Sequence, residues 1–388
     1  MPAGWEQTQW QDAGLIDPEA AVQYGSGSAG LSEAAPTHES VYSVNVNAGS
    51  LIPSTLMMSV LVILFLLQSS TAQQGRVVYS VAIIPPPPGA TSIDMYMFGI
   101  NDSGQAAGYT ASEQAFAGST SGSNYISGAY AASINAPGEI GGTYPQPFPV
   151  ACIDSFRGDS WLVPVPPGWE HSEAAGINDA GWVTGAVSHD SFSSQAFVGN
   201  KTFSSVIPIP PGWSTSEGFG INNSGVIAGT VFTPDVYRAF IGTASGVTLL
   251  PLPAGWTSSR AYSINDSGQV AGRGRRSGDV FTGTLNGSTV ILPPRGVHYL
   301  QFWSVGPGSI NNSGAVVGFS DVGGWIWTPA EGTAMLSTLV PEGWNIIDGV
   351  SISNSGLILA RGIYKNSAYQ YLVLTPATVG RPRRPKTP

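Results

Sequence analysis

One short unit, Ile-Asn-x-x-Gly, recurs seven times in register. Its Ile stands at Ile100, Ile134, Ile177, Ile221, Ile264, Ile310 and Ile352, with spacings of 34, 43, 44, 43, 46 and 42 residues. Asn follows six times, as Asn101, Asn135, Asn178, Asn222, Asn265 and Asn311, and Ser353 takes the seventh place. Gly stands four residues after every Ile, from Gly104 to Gly356. Eight after, it is Gly in six copies and Ala360 in the last. A period near 42 residues means one supersecondary unit per repeat, stacked on its neighbours to bury a shared core.

The unit reads as β structure. Gly218–Ile221 and Val226–Gly229 have strand character, and Asn-x-x-Gly between them is a tight turn. Gly supplies the positive φ that such a turn needs, and Asn bonds its own turn backbone. The second Gly, with Ala neighbours at Ala107, Ala228 and Ala271, marks a close approach of backbones. A third strand follows at Ala115-Phe116, Ala196-Phe197, Ala239-Phe240, Val280-Phe281, Trp325-Ile-Trp327 and Ala368-Tyr369, with Ala151-Cys152 as its poorest copy. A fourth ends in a Pro-rich turn, as at Val163–Trp169, Ile207–Trp213 and Leu250–Trp256. Proline removes ladder donors, which places this strand at a sheet edge.

Four strands per period describe a propeller blade. Before the first Ile, residues 77–88 read as a fourth strand without a blade of its own, and after the last Ile only three strands follow. The expectation is therefore an all-β fold: a seven-bladed β-propeller of four-stranded blades, its ring closed by the N-terminal strand. An open β-repeat array is the alternative. With 50 Gly and 30 Pro among 388 residues, yet 42% hydrophobic residues, the composition suits many short strands and turns around a buried core.

Four sections follow: 1–55, an acidic leader or a start codon assigned too early; 56–72, a signal peptide or membrane anchor; 73–376, the seven repeats; and 377–388, a basic, Pro-rich tail. The run Leu56–Leu67 rises only about 18 Å as a helix, short of the roughly 30 Å hydrocarbon core. Ser70 and Ala72 place small residues at −3 and −1 of a cleavage site before Gln73, as a signal peptide requires. A single-pass anchor through 56–67 is the other reading. The protein is expected to be secreted or held at the cell surface. Cys152 is the one cysteine, so no intrachain disulfide forms. The net charge of −9 argues against nucleic acid, whose phosphates need a basic face.

The motif Gly-Ile-Asn-x-x-Gly-x-Val-x-Gly followed by Ala-Phe resembles the extracellular repeats called HAF, over about residues 77–375. Their eponymous His is replaced by Gln114, Gln195, Arg238 and Ser367. The resemblance implies an extracellular repeat protein and no particular activity.

Chemistry is sparse. His38, His171, His189 and His298 occupy non-equivalent positions, without partners at metal-ligand spacing. Asp102, Asp179 and Asp266 follow the Ile-Asn pair, but one carboxylate per turn is too few for calcium, and turn chemistry explains them. No cofactor or metal is expected. Sequons fall at Asn101, Asn200, Asn222, Asn265, Asn286 and Asn311, and four of them are the repeat turn itself. The remaining candidates are Trp169, Trp213, Trp256 and Trp344, each eight residues before its repeat Ile. Such a ring stacks on sugars or binds a partner protein, or else it wedges between blades. Ala90 and Val297 replace Trp in the first and sixth copies. The expected function is an extracellular or cell-surface binding or scaffold propeller recognising a glycan or protein. The alternative is a propeller-fold hydrolase or lyase acting on an extracellular polymer, which would gather acids, His or Arg at one axial mouth.

The secreted protein is expected to begin at or near Gln73. N-terminal sequencing checks this, and recovery of residues 1–55 on the exported chain would contradict it.

Overall fold

The computed structural model describes residues 77–378, apart from breaks at 128–129, 146, 190–192, 276–278, 302–307 and 366. The leader 1–55, the segment 56–72 and nearly all of the tail lie outside the described residues.

The described chain is built almost wholly of antiparallel strands. β1 (Val77–Ile84) is followed by β2 (Met95–Ile100), β3 (Ala106–Thr110), β4 (Ala115–Ser119) and β5 (Gly122–Tyr125), the last four forming one sheet in sequence order. The second sheet is β6 (Tyr130–Ile134), β7 (Glu139–Tyr144), β8 (Val150–Ser155) and β9 (Ser160–Leu162). The third is β10 (His171–Ile177), β11 (Val183–Ser188), β12 (Ser194–Gly199) and β13 (Ser204–Val206). The fourth is β14 (Thr215–Ile221), β15 (Ile227–Phe232), β16 (Tyr237–Thr243) and β17 (Gly246–Leu249). The fifth is β18 (Ser259–Ile264), β19 (Val270–Gly274), β20 (Val280–Thr284) and β21 (Gly287–Ile291).

The remaining strands share one eight-stranded sheet: β22 (Leu300–Gln301), β23 (Val316–Ser320), β24 (Gly323–Thr328), β25 (Gly332–Met335), β26 (Trp344–Ile352), β27 (Ile358–Tyr364), β28 (Gln370–Thr378) and β1. Its halves are joined where Phe319 of β23 pairs with Asp348 of β26. β1 runs antiparallel to β28 in unbroken register, from Val77 opposite Thr378 to Ile84 opposite Tyr371. The proline run after Ile84 contributes no strand, because it has no donors to offer a ladder.

Each repeat Ile ends the first strand of its sheet or, for Ile310, forms a bridge with Val316. The Pro-rich segments follow the short fourth strands, which lie at sheet edges. The aromatics of the third strands, Phe116, Phe197, Phe240, Phe281 and Trp325, are fully buried. The seventh Ala-Tyr pair falls just before β28, and Tyr369 is exposed.

The core is divided among the seams between successive sheets. One cluster joins Ala151, Ile153 and Val163 to Ala174, Val183 and Phe197, and the next joins Val198 and Ile207 to Ile221, Val231 and Phe240. Buried serines reinforce the seams: Ser172, Ser216 and Ser259 each accept the backbone N–H of Ala151, Ala196 and Ala239 on the preceding sheet.

Two features explain the glycines. A Cβ on Gly108, Gly142, Gly185, Gly229 or Gly272 would collide with a carbonyl oxygen of the first strand opposite. The first strands of six sheets also carry a bulge two residues before the repeat Ile, as between Ala174 and Gly176 or Gly218 and Gly220. The bulge adds an unpaired residue and local twist.

β1 buries Tyr79 and Ile84 and donates the Tyr79 N–H to Leu339 at 2.7 Å. Full burial of two such side chains stabilises by about 3–6 kcal/mol. A chain beginning at Ala90 is therefore expected to melt well below one beginning at Val77 and to aggregate through the bared β28 edge. Equal melting temperatures would contradict this.

Candidate functional site

Two ends of the first strands carry different chemistry. At the Ile end, every Asn of the repeat turns back on itself and also reaches the next sheet. The Asn222 Oδ1 accepts the N–H groups of Ser224 and Val226, satisfying its own turn. Its Nδ2 donates to the Asn265 carbonyl at 3.1 Å. The same link runs from Asn101 to Asn135, Asn135 to Asn178, Asn178 to Asn222, Asn265 to Asn311 and Asn311 to Ser353, at 2.9–3.1 Å. All six amides are 4% exposed.

A second belt lies beside the first. Asp179, Asn223, Asp266, Asn312 and Asn354 each accept, through Oδ1, a backbone N–H from the preceding repeat at 2.9 Å. The last repeat reaches the first, where the Ser355 N–H donates to the Asp102 Oδ1 at 2.6 Å. The Asn223 side chain also donates to Asp179 and Asp266, and Asn312 donates to Asp266. These carboxylates are acceptors for turn amides, which adds an inter-sheet reason to the turn reading.

The turns of all seven repeats line a cavity of about 160 Å³ with an Ile floor and an amide and carboxylate rim. Beneath it Gly or Ser precedes each repeat Ile: a Cβ on Gly99, Gly176 or Gly220 would press on the adjacent sheet's backbone, while the Ser133 and Ser263 hydroxyls accept N–H groups of the next repeat. Burial takes the sequons at Asn101, Asn222, Asn265 and Asn311 out of reach of any folded-state modification, while Asn286 is exposed.

At the opposite end stand the four tryptophans. Each closes a turn in which its N–H donates to the carbonyl of a Pro three residues back: Pro166, Pro210, Pro253 and Pro341. Gly168, Gly212, Gly255 and Gly343 hold φ between 81° and 95°, the third position of a type II turn. Every one of the four is half-buried, packed against a seam cluster. Trp169 also stacks on His189 at 4.6 Å, and Trp256 meets Phe281 edge-on at 5.8 Å.

Between these ends lies a column the repeat pattern hides. Four residues before the repeat Ile stand Tyr96, Tyr130, Glu173, Glu217, Arg260, Gly306 and Asp348. Tyr96 is 41% exposed and stacks on Tyr109 at 5.5 Å, which meets Tyr130 edge-on at 5.0 Å. The Arg260 guanidinium lies 4.6 Å from the Tyr237 ring and 5.1 Å from Phe232. Arg361 clamps buried Asp348 at 2.6 Å.

Burial raises the Glu173 carboxyl, with His171 pulling it down. Burial likewise raises Glu217, where Arg260 lowers it and Glu173 raises it further. Glu173 is nevertheless open to solvent, which weakens that effect. His171, 9% exposed, has an Nδ1 without a hydrogen-bond partner.

Of the other histidines, His298 bonds Asp321 at 2.6 Å on the surface. Among the described residues no three His, Cys, Asp or Glu side chains gather as a metal site. Burial pushes the Cys152 thiol up, away from thiolate chemistry.

No protein-family model matches the chain, and no curated protein does. Similar solved structures include puromycin hydrolase, at 11% identity and TM-score 0.43, over 77% of this chain and 57% of that one. The β-propeller domain of Myceliophteria thermophila Cps50 (Swd1) gives 11% and 0.46, over 77% and 99%. Prolyl oligopeptidase B from Galerina marginata gives 11% and 0.40, over 72% and 48%. The chain thus spans little more than half of the hydrolase and less than half of the oligopeptidase. Its own succession of four-stranded antiparallel sheets is a β-propeller-like repeat fold.

Proposed function

We propose that the chain is a closed seven-bladed β-propeller, exported from the cell, that binds a glycan without a cofactor. Closure is supported by the β1–β28 register and by the Ser355–Asp102 bond between the last and first repeats. Export is supported by the signal-like segment 56–72 and by the resemblance to HAF repeats.

The binding role rests on one observation: Trp169, Trp213, Trp256 and Trp344 stand half-exposed on rigid type II turns at one end of the first strands. Fixed aromatic faces suit sugars, because little freedom is lost when a ring stacks on them. The second reading, a hydrolase or lyase on an extracellular polymer, draws on Glu173 and Glu217, whose raised carboxyls on neighbouring sheets suit proton transfer.

A glycan array probed with the chain from Gln73 onward is expected to return carbohydrate ligands. Trp213→Ala and Trp256→Ala should each weaken that binding severalfold while costing about 2 kcal/mol or less in thermal stability, since each ring is only half-buried. A loss near 4 kcal/mol at both sites with binding intact would make the tryptophans wedges between sheets. Capture of a protein partner with no glycan bound would overturn the glycan reading.

A further inference from the structure

The residue four before each repeat Ile stands directly opposite the residue nine after it, across the first two strands of a sheet. The described pairs are Tyr96–Tyr109, Tyr130–Thr143, Glu173–Ala186, Glu217–Thr230, Arg260–Arg273 and Asp348–Arg361. In the last sheet the pair is an acid and a base, joined at 2.6 Å. Among the described pairs, sheet five alone opposes two like charges. Such a placement is destabilising, with the Cβ atoms roughly 5 Å apart on one face of the sheet.

The protein leaves both guanidiniums without a polar partner. Among the described residues neither Arg260 nor Arg273 forms a hydrogen bond or an ion pair, and the Nε of each is buried and unbonded. Glu217 acts on Arg260 only at longer range, and burial raises its carboxyl, so it is a weak counter-charge. Rings hold the pair instead. The Arg260 Cζ lies 4.6 Å from the Tyr237 ring and 5.1 Å from Phe232, and the Arg273 Cζ lies 5.8 Å from Tyr262. The Tyr237 hydroxyl donates to the carbonyl of Gly274, next to Arg273, so both guanidiniums stand around one tyrosine. Tyr262 meets Phe219 edge-on at 5.3 Å. It is 1% exposed, and its hydroxyl has no partner.

Stacking on rings fixes the plane of a guanidinium and leaves its N–H edges for a planar or tetrahedral oxyanion. Both arginines are half-buried, so those edges reach solvent. The patch adjoins one of the tryptophan turns, since a Cβ on Gly274 would meet the Trp256 ring at 2.9 Å.

We infer that Arg260 and Arg273 form a binding site for the oxyanionic group of an acidic saccharide, a carboxylate or a sulfate ester. The inference rests on the glycan reading and adds the charge class of the sugar. An oxyanion shared by the two guanidiniums accepts their N–H groups through charge-assisted bonds and removes the repulsion between them. A neutral sugar offers hydroxyls but leaves the like charges opposed. In the last sheet Asp348 already fills the equivalent place with the protein's own carboxylate.

Titration calorimetry of the purified protein at low salt tests this with three oligosaccharides of equal length: a neutral hexose chain, a uronic acid chain and a sulfated chain. At least one acidic chain is expected to bind about tenfold tighter than the neutral one, an advantage that shrinks as sodium chloride is added. Which acidic chain binds identifies the group. Arg260→Gln and Arg273→Gln should each weaken acidic binding about tenfold or more and leave neutral binding within about threefold. Because each variant removes an opposed like charge, neither should melt below the parent protein.

Acidic affinity unchanged in both variants would overturn the site. A marked fall in melting temperature in both would make the arginines packing residues and overturn it likewise. Neutral binding as tight as both acidic chains, and weakened by Trp213→Ala, would overturn the site and leave the glycan reading standing. Absence of any bound saccharide would overturn both.

Discussion

The structure depends on an amide that serves two masters. Each repeat Asn spends its oxygen on its own turn and its nitrogen on the neighbour's backbone. A turn that needs an acceptor is common, and Ser, Asp or Asn supplies one. A buried carbonyl on the next sheet needs a donor at the same time, and among short side chains Asn alone carries acceptor and donor on two separate atoms that can point to two places. The requirement explains why the residue is Asn six times and why its replacement, Ser353, ends the chain of donations. Once these links are set, the spacing of the first strands is fixed, and only Gly or Ser fits between them.

The same arrangement accounts for how uneven the remaining packing is. The first strands crowd one another through backbone, and the seams widen outward to take Phe197, Phe240 and Phe281. Fourth strands at the edges stay short, and the Pro-rich segments after them offer few donors to another chain. The sequence is therefore locally consistent where it repeats, at the Ile, the Asn and the two Gly positions, and it varies in the columns between them.

Much of the fold was legible in the repeat, because turn Gly, strand alternation and edge Pro each have one physical meaning. The third strands were found through Ala-Phe pairs, even at Ala151-Cys152, since a buried aromatic or its stand-in recurs at one depth. The bulges were not legible, for an extra residue in a strand leaves no compositional mark. The inter-sheet role of Asn and Asp was missed for a related reason: local turn chemistry explained them sufficiently. Glu173, Glu217 and Arg260 share a register, but a repeat marks the residues that recur in it, such as Trp213 and Trp256, and not those that vary. Whether the tryptophans wedge or bind could not be read from spacing, since half-burial serves either.

Urea denaturation of Asn222→Asp tests the central claim most directly. The substitution keeps the oxygen that Ser224 and Val226 require and removes only the donor to Asn265. It also sets a carboxylate against a buried carbonyl at a position 4% exposed. A loss of about 3 kcal/mol, in a single transition seen alike by fluorescence and circular dichroism, is the predicted result. A change below about 0.5 kcal/mol would show that apolar seams alone hold the sheets together and would contradict the account.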